Sequence, residues 1–447
     1  MAVEIYTIGG YEEVGKNMTA VKVDDEVVIL DMGLHLPNYI RLTEEERENI
    51  MFVSAEELKH ARAIPNDDII DSLRKKVKAI IPSHAHLDHV GAIPYLSNKY
   101  KADIIATPYT AAVLKAILKD EKIKIRNHIK VISPNSTLKI SDNIKVEFVN
   151  ITHSTPQAVM IALHTKYGVV LYANDFKFDN NPMLGKKPNY EALEGFGKKG
   201  VIALIVDSLY AYSASKTPSE SVAKEMLRDV MLNVNSKGKA VIVTTFSSHL
   251  ARLKSIIEFG KQMHRKIVFL GRSLRKYVKA GESIKLINFS KDAEIVGFGK
   301  QIKQKLRKIQ QKGPEKYLLV VTGHQGEPKA TLAKMIKGSL PFKFKPEDHV
   351  IFSSSVIPTP INRQNREELE KRLKHLGVRI FTDIHVSGHA AREDLRDFIN
   401  MTKPKNIIPA HAEDKGVKGM VELCQEMGYK KGKNVFPARN GERITVK

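Results

Sequence analysis

The sequence predicts an α/β protein in two parts, one of them a doubly wound parallel sheet. Three observations carry that expectation. At 447 residues the chain exceeds what one small core organises, so two domains are expected. Its first two hundred residues alternate short β-branched runs with tight turns and helical stretches, an α/β rhythm. Near residue 208 the rhythm changes to four strand-then-helix units, the pattern of a parallel sheet with crossover helices.

In order along the chain, Glu4–Thr7, Val21–Val23 and Val27–Leu30 are β-rich and separated by Gly9-Gly10 and Asp24-Asp25. The stretch Thr43–Lys78 reads as helical, with acidic residues early and basic residues late, as the helix dipole favours. Val77–Ile81 reads as a strand stopped by Pro82, and further strands fit Ile104-Ile105, Ile144–Val149, Val159–His164 and Val169–Tyr172. The later units begin with strands Ala240–Thr245, Lys266–Leu270, Tyr317–Val321 and His349–Phe352. Ligand-binding loops of such sheets follow the carboxyl ends of strands. Here those loops are Phe246-Ser247-Ser248, Gly271-Arg272-Ser273, Gly323-His324-Gln325-Gly326 and Ser353-Ser354-Ser355. Past residue 375, Val378–Thr382 is expected to open another segment. The expected division is therefore 1–207, 208–375 and 376–447, the outer pieces forming one domain.

Composition narrows the class. A hydrophobic share of 42% with 27% charged residues excludes disorder, collagen and coiled coil. No apolar run approaches the ~20 residues of a spanning helix, so no membrane association is expected. The start MAVEIYTIGG lacks a basic and then apolar leader, and Cys424 is the one cysteine, so a reducing cytoplasm is expected. The net charge is +22, and residues 208–375 hold 33 Lys+Arg against 14 Asp+Glu, a net of +19. The remainder is thus only +3. One basic helix, Lys300–Lys312, taken alone reads as a solvated face. A whole domain in excess points to a polyanion.

The sharpest local signal is Ser83-His84-Ala85-His86-Leu87-Asp88-His89, directly after a strand. Residues i and i+2 of an extended segment point the same way, so His84 and His86 suit one metal ion. Asp88 and His89, as the chain turns into a helix, suit a second. Further ligands should also follow strands: His153 in Asn150–Ser154, Asp175 in Tyr172–Asp175, and His411 in Ile407–His411. Each alone reads more often as an ordinary turn residue. Together they complete two sites, with the Asp175 carboxylate suited to bridging.

This set, His84, His86, Asp88, His89, His153 and Asp175, with Asp31 closing the strand Val28–Leu30, resembles the HxHxDH pattern of the metallo-β-lactamase superfamily. The resemblance implies a four-layer αβ/βα sandwich with two zinc ions, Zn2+, on one edge. Asp31 would then orient the metal-binding loop rather than ligate. Asp207, the stretch His385-Val386-Ser387-Gly388-His389, and His411 are similar to the three motifs of the β-CASP nucleases, in which a doubly wound β-CASP domain interrupts the sandwich. A histidine at the position of His411 is typical of RNA-processing members. Ile8–Asn17 and Thr322–Pro328 resemble stretches of ribonuclease J, and the length resembles its archaeal members, which lack the bacterial C-terminal domain.

By that resemblance the expected activity is zinc-dependent hydrolysis of single-stranded RNA, threaded between the two domains. It would run mainly 5′-to-3′ from a 5′-monophosphate. Zinc ions can stabilise attacking and leaving oxygens of an in-line displacement. Asp88 would serve at the centre, with His389, oriented by Asp207, donating to the leaving group. His385, Val386, Ser387, Gly388 and His389 would hold the adjacent phosphate. Ser247, Ser353, Ser354 and Ser355 would anchor other phosphates, although serines before a helix are equally often caps. An RNA endonuclease, a DNA repair nuclease and a non-catalytic RNA-binding member are the alternatives, and a homodimer is compatible with the family.

Overall fold

The computed structural model describes residues 3–45, 53–357 and 359–446. The chain divides into two compact units: residues 1–180, 185–217 and 388–447 form the first, and 181–184 with 218–387 the second. Part of the expected helical stretch, 46–52, lies outside the described residues. The rest of it includes the helix Ala55–His60, started by a capping box between Ser54 and Glu57, and the 3₁₀ segment Asp67–Lys76.

The first unit holds two sheets. One runs, edge to edge, through Glu442–Val446, Val3–Gly9, Met18–Val23, Glu26–Leu30, Val77–Ile81, Asp103–Ala106 and Ile129–Val131. The other runs through Ile407–Ala410, Val201–Asp207, Gly168–Ala173, Val159–Thr165, Lys145–Asn150 and Thr137–Lys139. Side chains of a strand alternate between faces, and the central strands are apolar on both. Val28, Leu30, Ala79 and Ile81 of the first sheet share a core with Phe148, Ile161, Val170 and Ile205 of the second. The opposite face of the second sheet, including Met160, Leu171 and Leu204, packs on Leu193 and Phe196, on Leu395 and Phe398, and on Met420 and Leu423. Those pairs sit on the helices Tyr190–Lys199, Arg392–Thr402 and Asp414–Glu426. The segment Asp67–Lys76 and the helix Pro108–Glu121 lie against the first sheet. The order is helix, sheet, sheet, helix, as expected.

The second unit is a six-stranded parallel sheet in the order Ala293–Val296, Lys266–Leu270, Tyr317–Val321, Val241–Thr244, His349–Phe352 and Arg379–Phe381. Two corrections to the sequence reading follow. Ala293–Val296 joins as an edge strand, where a run of four residues with Glu294 in it carries little signal. Arg379–Phe381, expected to start a new segment, pairs in parallel with His349–Phe352. The second unit therefore extends through Ser387, past the expected boundary at 375, because backbone pairing holds that strand to the sheet.

All the expected strand-end residues of the first unit gather where strands finish. Asp31 and Ser83 follow neighbouring parallel strands of one sheet. His411, Asp207 and Asp175 close or follow three neighbouring parallel strands of the other, with His153 two strands further along.

Candidate metal centre

Three groups of donor atoms form around one carboxylate, the third being Asp175, Asp207 and His389. His84, His86, His153 and Asp175 make the first group, and Asp88, His89, His411 and Asp175 the second, each with donor atoms within 4.8 Å of one another. Asp175 Oδ2 lies 3.6 Å from His84 Nε2, 3.2 Å from His89 Nε2 and 3.6 Å from His153 Nε2. Its Oδ1 lies 3.6 Å from His411 Nδ1. His86 Nδ1 sits 3.1 Å from both His84 Nε2 and His153 Nε2. The structure thus brings together every residue that the sequence nominated as a ligand.

Local backbone geometry makes this convergence achievable. Asp31, Asp175 and His411 adopt left-handed conformations, with φ of 58°, 54° and 52°. Each costs on the order of 1 kcal/mol for a residue with a Cβ, and such strain concentrates at functional sites. The helix Leu87–Val90 takes its N-cap from His86, which separates His86 from Asp88 and His89 by a change of backbone direction.

Supporting contacts fix the rings. Asp31 is fully buried and accepts from Ser83 N (2.6 Å), Ser83 Oγ (2.9 Å) and Tyr172 OH (2.8 Å), and it bonds His89 Nδ1 at 2.7 Å. That bond leaves His89 Nε2 facing Asp175, so Asp31 orients rather than joins the donor cluster. His153 Nδ1 lies 2.8 Å from the Gly388 carbonyl oxygen. A Cβ at residue 388 would stand 2.9 Å from the His153 ring, so this approach requires glycine. His389 Nδ1 bonds Asp207 Oδ2 at 2.7 Å, and its ring stacks on His411 at 5.4 Å.

Electrostatics favour a cation. Burial holds the imidazoliums of His84 and His153 well below their usual range and brings His86 down to about 4, so these rings present lone pairs. Burial opposes charge on His89 too, but Asp175, Asp31 and Asp88 outweigh it and raise its pKa well above the ordinary value. Burial is likewise overcome at His389, which Asp207 and Asp175 raise to about 9. Asp175 is held well below the usual carboxylate range; burial opposes this, and His411 and His89 prevail. Asp175 Oδ1 is buried with no hydrogen-bond donor among the described residues. The neutral imidazoles of His84, His86 and His153 around a buried, incompletely satisfied carboxylate are a donor set that fits divalent metal.

Asn17 was not singled out as a site residue. Its Nδ2 lies 2.9 Å from His411 Nδ1, 3.1 Å from His89 Nε2 and 3.1 Å from the Asp88 carbonyl oxygen. The signal was its place at the end of the Gly-rich stretch Ile8–Asn17, which brings residue 17 back over the sheet edge.

In the second unit the nominated residues separate. Ser353 is corrected: it is fully buried, its Oγ donates to the Ile384 carbonyl oxygen (2.9 Å) and accepts from Arg252 (2.8 Å), so it braces the fold instead of facing a phosphate. Ser354 is buried with its Oγ unpartnered among the described residues, and Val386 is buried. Ser247, Ser355, His385 and Ser387 are partly exposed. Phe246 ties two loops together, its ring 4.4 Å from His324 and 6.1 Å from His385.

Residues 12–217 match the metallo-beta-lactamase superfamily, 238–371 the beta-CASP domain of ribonuclease J, and 376–436 a Zn-dependent metallo-hydrolase RNA specificity domain. The chain is 44% identical to ribonuclease J of Methanocaldococcus jannaschii over 446 residues, covering 100% of this chain and 99% of that one. It is 43% identical to ribonuclease J of Pyrococcus abyssi, covering 99% and 97%, and 28% identical to that of Synechocystis, covering 100% and 66%. A solved protein of unknown function from Enterococcus faecalis V583 shares the fold over 100% of both chains, with a TM-score of 0.66 at 16% identity. At this identity over nearly the whole of each chain, the chain belongs to the ribonuclease J family.

Proposed function

We propose that this chain is a metal-dependent exoribonuclease that degrades single-stranded RNA from a 5′-monophosphate end, using two zinc ions that the clustered His and Asp residues would hold. One ion is assigned to His84, His86, His153 and Asp175, the other to Asp88, His89, His411 and Asp175. When bound, zinc supplies Lewis acidity toward the phosphodiester and lowers the pKa of water. The observation that carries the reading is the convergence of seven donor residues on one edge of the first unit, in a chain otherwise alike to ribonuclease J throughout.

The protein's own groups have distinct tasks. Asp31 holds His89 through Nδ1, which leaves Nε2 toward Asp175. Asp207 holds His389 through Nδ1, which leaves Nε2 as the atom to donate to a leaving oxygen. Gly388 fixes His153 through its carbonyl oxygen. In the second unit the partly exposed His385, Ser387, Ser247 and Ser355 are assigned to phosphates of the RNA. The cytoplasm is the assigned compartment; among the described residues no helix is long and apolar enough to cross a membrane. A homodimer is the assembly assigned by family likeness.

The test is digestion of one RNA labelled at either end, carrying a 5′-triphosphate, monophosphate or hydroxyl, beside a DNA of the same sequence. Mononucleotides should leave the 5′ end of the monophosphorylated RNA fastest. Internal fragments alone would mean an endonuclease, and equal digestion of DNA would end the RNA assignment. His86→Ala should lower cleavage by more than about a thousand-fold while RNA affinity stays within a few-fold.

A further inference from the structure

Phe298 is the most exposed large apolar side chain among the described residues, at 50%. Single exposed apolar residues are ordinary on soluble proteins. This one is set in a constructed environment. The Arg275 guanidinium carbon lies 4.9 Å from the ring centroid, within cation–π range. The Arg275 stem reaches that position only because residue 297 is glycine, where a Cβ would stand 2.5 Å from Arg275 Cδ. Ring and guanidinium are thus held as a pair by the backbone between them.

The surroundings are predominantly basic, the nearby Glu282, Asp292 and Glu294 each being paired with a lysine. Residues 271–281 contain Arg272, Arg275, Lys276 and Lys279, and residues 297–312 contain Lys300, Lys303, Lys305, Arg307, Lys308 and Lys312, with no Asp or Glu in either stretch. The helix Gly299–Lys312 buries Ile302, Leu306 and Ile309, which turns Lys300, Lys303, Arg307 and Lys308 outward. Lys305 is neutralised by Glu294, and the outward four have no such acidic neighbour in their own helix.

Position in the sheet links this patch to the ligand loops. All six strands are parallel, so Phe298, after Ala293–Val296, and Arg272, after Lys266–Leu270, stand on the same carboxyl edge as His324 and Phe246. Four strands lie side by side from Phe246 to Phe298, a lateral reach of about 14 Å at ~4.8 Å per strand. An exposed ring backed by a guanidinium and flanked by cations is the arrangement that stacks a base and tracks a backbone without reading sequence.

We propose that Phe298 and Arg275 form a base-stacking exosite for single-stranded RNA on the second unit, favouring long substrates over short ones. The inference rests on the RNA reading above and deepens it. Charge complementarity selects RNA over an apolar partner or a second copy of this chain, which would carry the same +22.

The test uses the full zinc-loaded chain. In a His86→Ala background that does not cleave, binding of a labelled oligoadenylate of about 20 nucleotides is measured by anisotropy. Adding Phe298→Ala should weaken it by about 5- to 30-fold, Phe298→Trp should preserve it, and Phe298→Leu should fare as poorly as alanine. In the otherwise native chain, Phe298→Ala should raise KM for the long RNA and leave cleavage of a tetranucleotide unaltered. Unchanged long-RNA affinity, an equal loss on the tetranucleotide, or full retention by Phe298→Leu would each overturn the exosite. So would a change in sedimentation without a change in RNA affinity, which would make Phe298 a protein contact. A native chain that cleaves but binds long and short RNA equally would sink the exosite alone; one that cleaves neither would sink the ribonuclease reading with it.

Discussion

Asn17 places one side-chain amide against two of the rings proposed to hold metal. It contacts His411, His89 and the Asp88 carbonyl oxygen at once, so the two rings share one neutral anchor. Asn17→Ala should lower metal affinity or activity by about 10- to 100-fold, readable by zinc titration with a chromogenic chelator, while the fold survives. A second residue-scale prediction concerns His349 in the second unit. Its side chain is almost wholly buried, its Nε2 has no hydrogen-bond partner among the described residues, and burial, with Arg379 and Arg265 adding, lowers its pKa to about 4. The folded state therefore keeps this ring neutral, and the unfolded chain takes up the extra proton below about 6.5. Stability should be fully present above pH 6.5 and decline as pH falls toward 4, by up to about 3 kcal/mol from this group. Urea titrations at pH 5 and 7 should show that loss shrink in His349→Leu. An unaltered pH dependence would refute the assignment.

Among the elements, the helix Leu250–Gln262 carries the clearest structural charge. Arg252 is fully buried on it and bonds Glu220 through two nitrogens, at 2.5 and 2.8 Å. Its remaining nitrogen reaches the Ser353 carbonyl oxygen, Ser353 Oγ and the Ile384 carbonyl oxygen. One side chain thereby ties together two helices, the end of a strand and the segment just before His385. Removing one partner of a buried pair strands the other charge, so Arg252→Met should destabilise the protein by about 3–5 kcal/mol. Chemical denaturation measures this directly, and a loss under about 1 kcal/mol would mean that Glu220 is solvated. The same network explains why Ser353 reads as a ligand in the sequence but not in the fold. A serine after a parallel strand marks a binding loop only if its hydroxyl is not already spent, and the sequence does not reveal Arg252 beside it.

For the whole molecule, the distribution of charge sets how RNA is held. Residues 208–375 carry +19 of the total +22, so affinity for single strands should fall steeply with salt, with a slope of about −0.7 for each phosphate neutralised. Neutralising Lys300, Lys303 and Arg307 together should reduce that slope by about 2 if each meets a phosphate. Neutralising the exposed Lys139 and Lys145 of the first unit should leave it unchanged. Affinity measured between 50 and 300 mM salt would decide the matter, and equal effects from both sets would end the localisation of RNA binding to the basic unit.

What the sequence determined by itself was whatever local pattern encodes. The α/β class, the strand-end positions of His84, His86, Asp88, His89, His153, Asp175 and His411, and the basic character of the inserted stretch were all legible, because strand periodicity, turn residues and charge are properties of neighbouring residues. Tertiary structure alone decided which of these groups meet. It turned Asp31, Asp175 and His411 into left-handed backbone at the sheet edge, brought Asn17 to His411 across 394 positions, and set Gly388 against His153. It also withdrew Ser353 into a buried network and gave Arg379–Phe381 to the second unit. Contacts between distant segments are chosen by packing and hydrogen-bond satisfaction over the whole chain, and no window of sequence contains both partners.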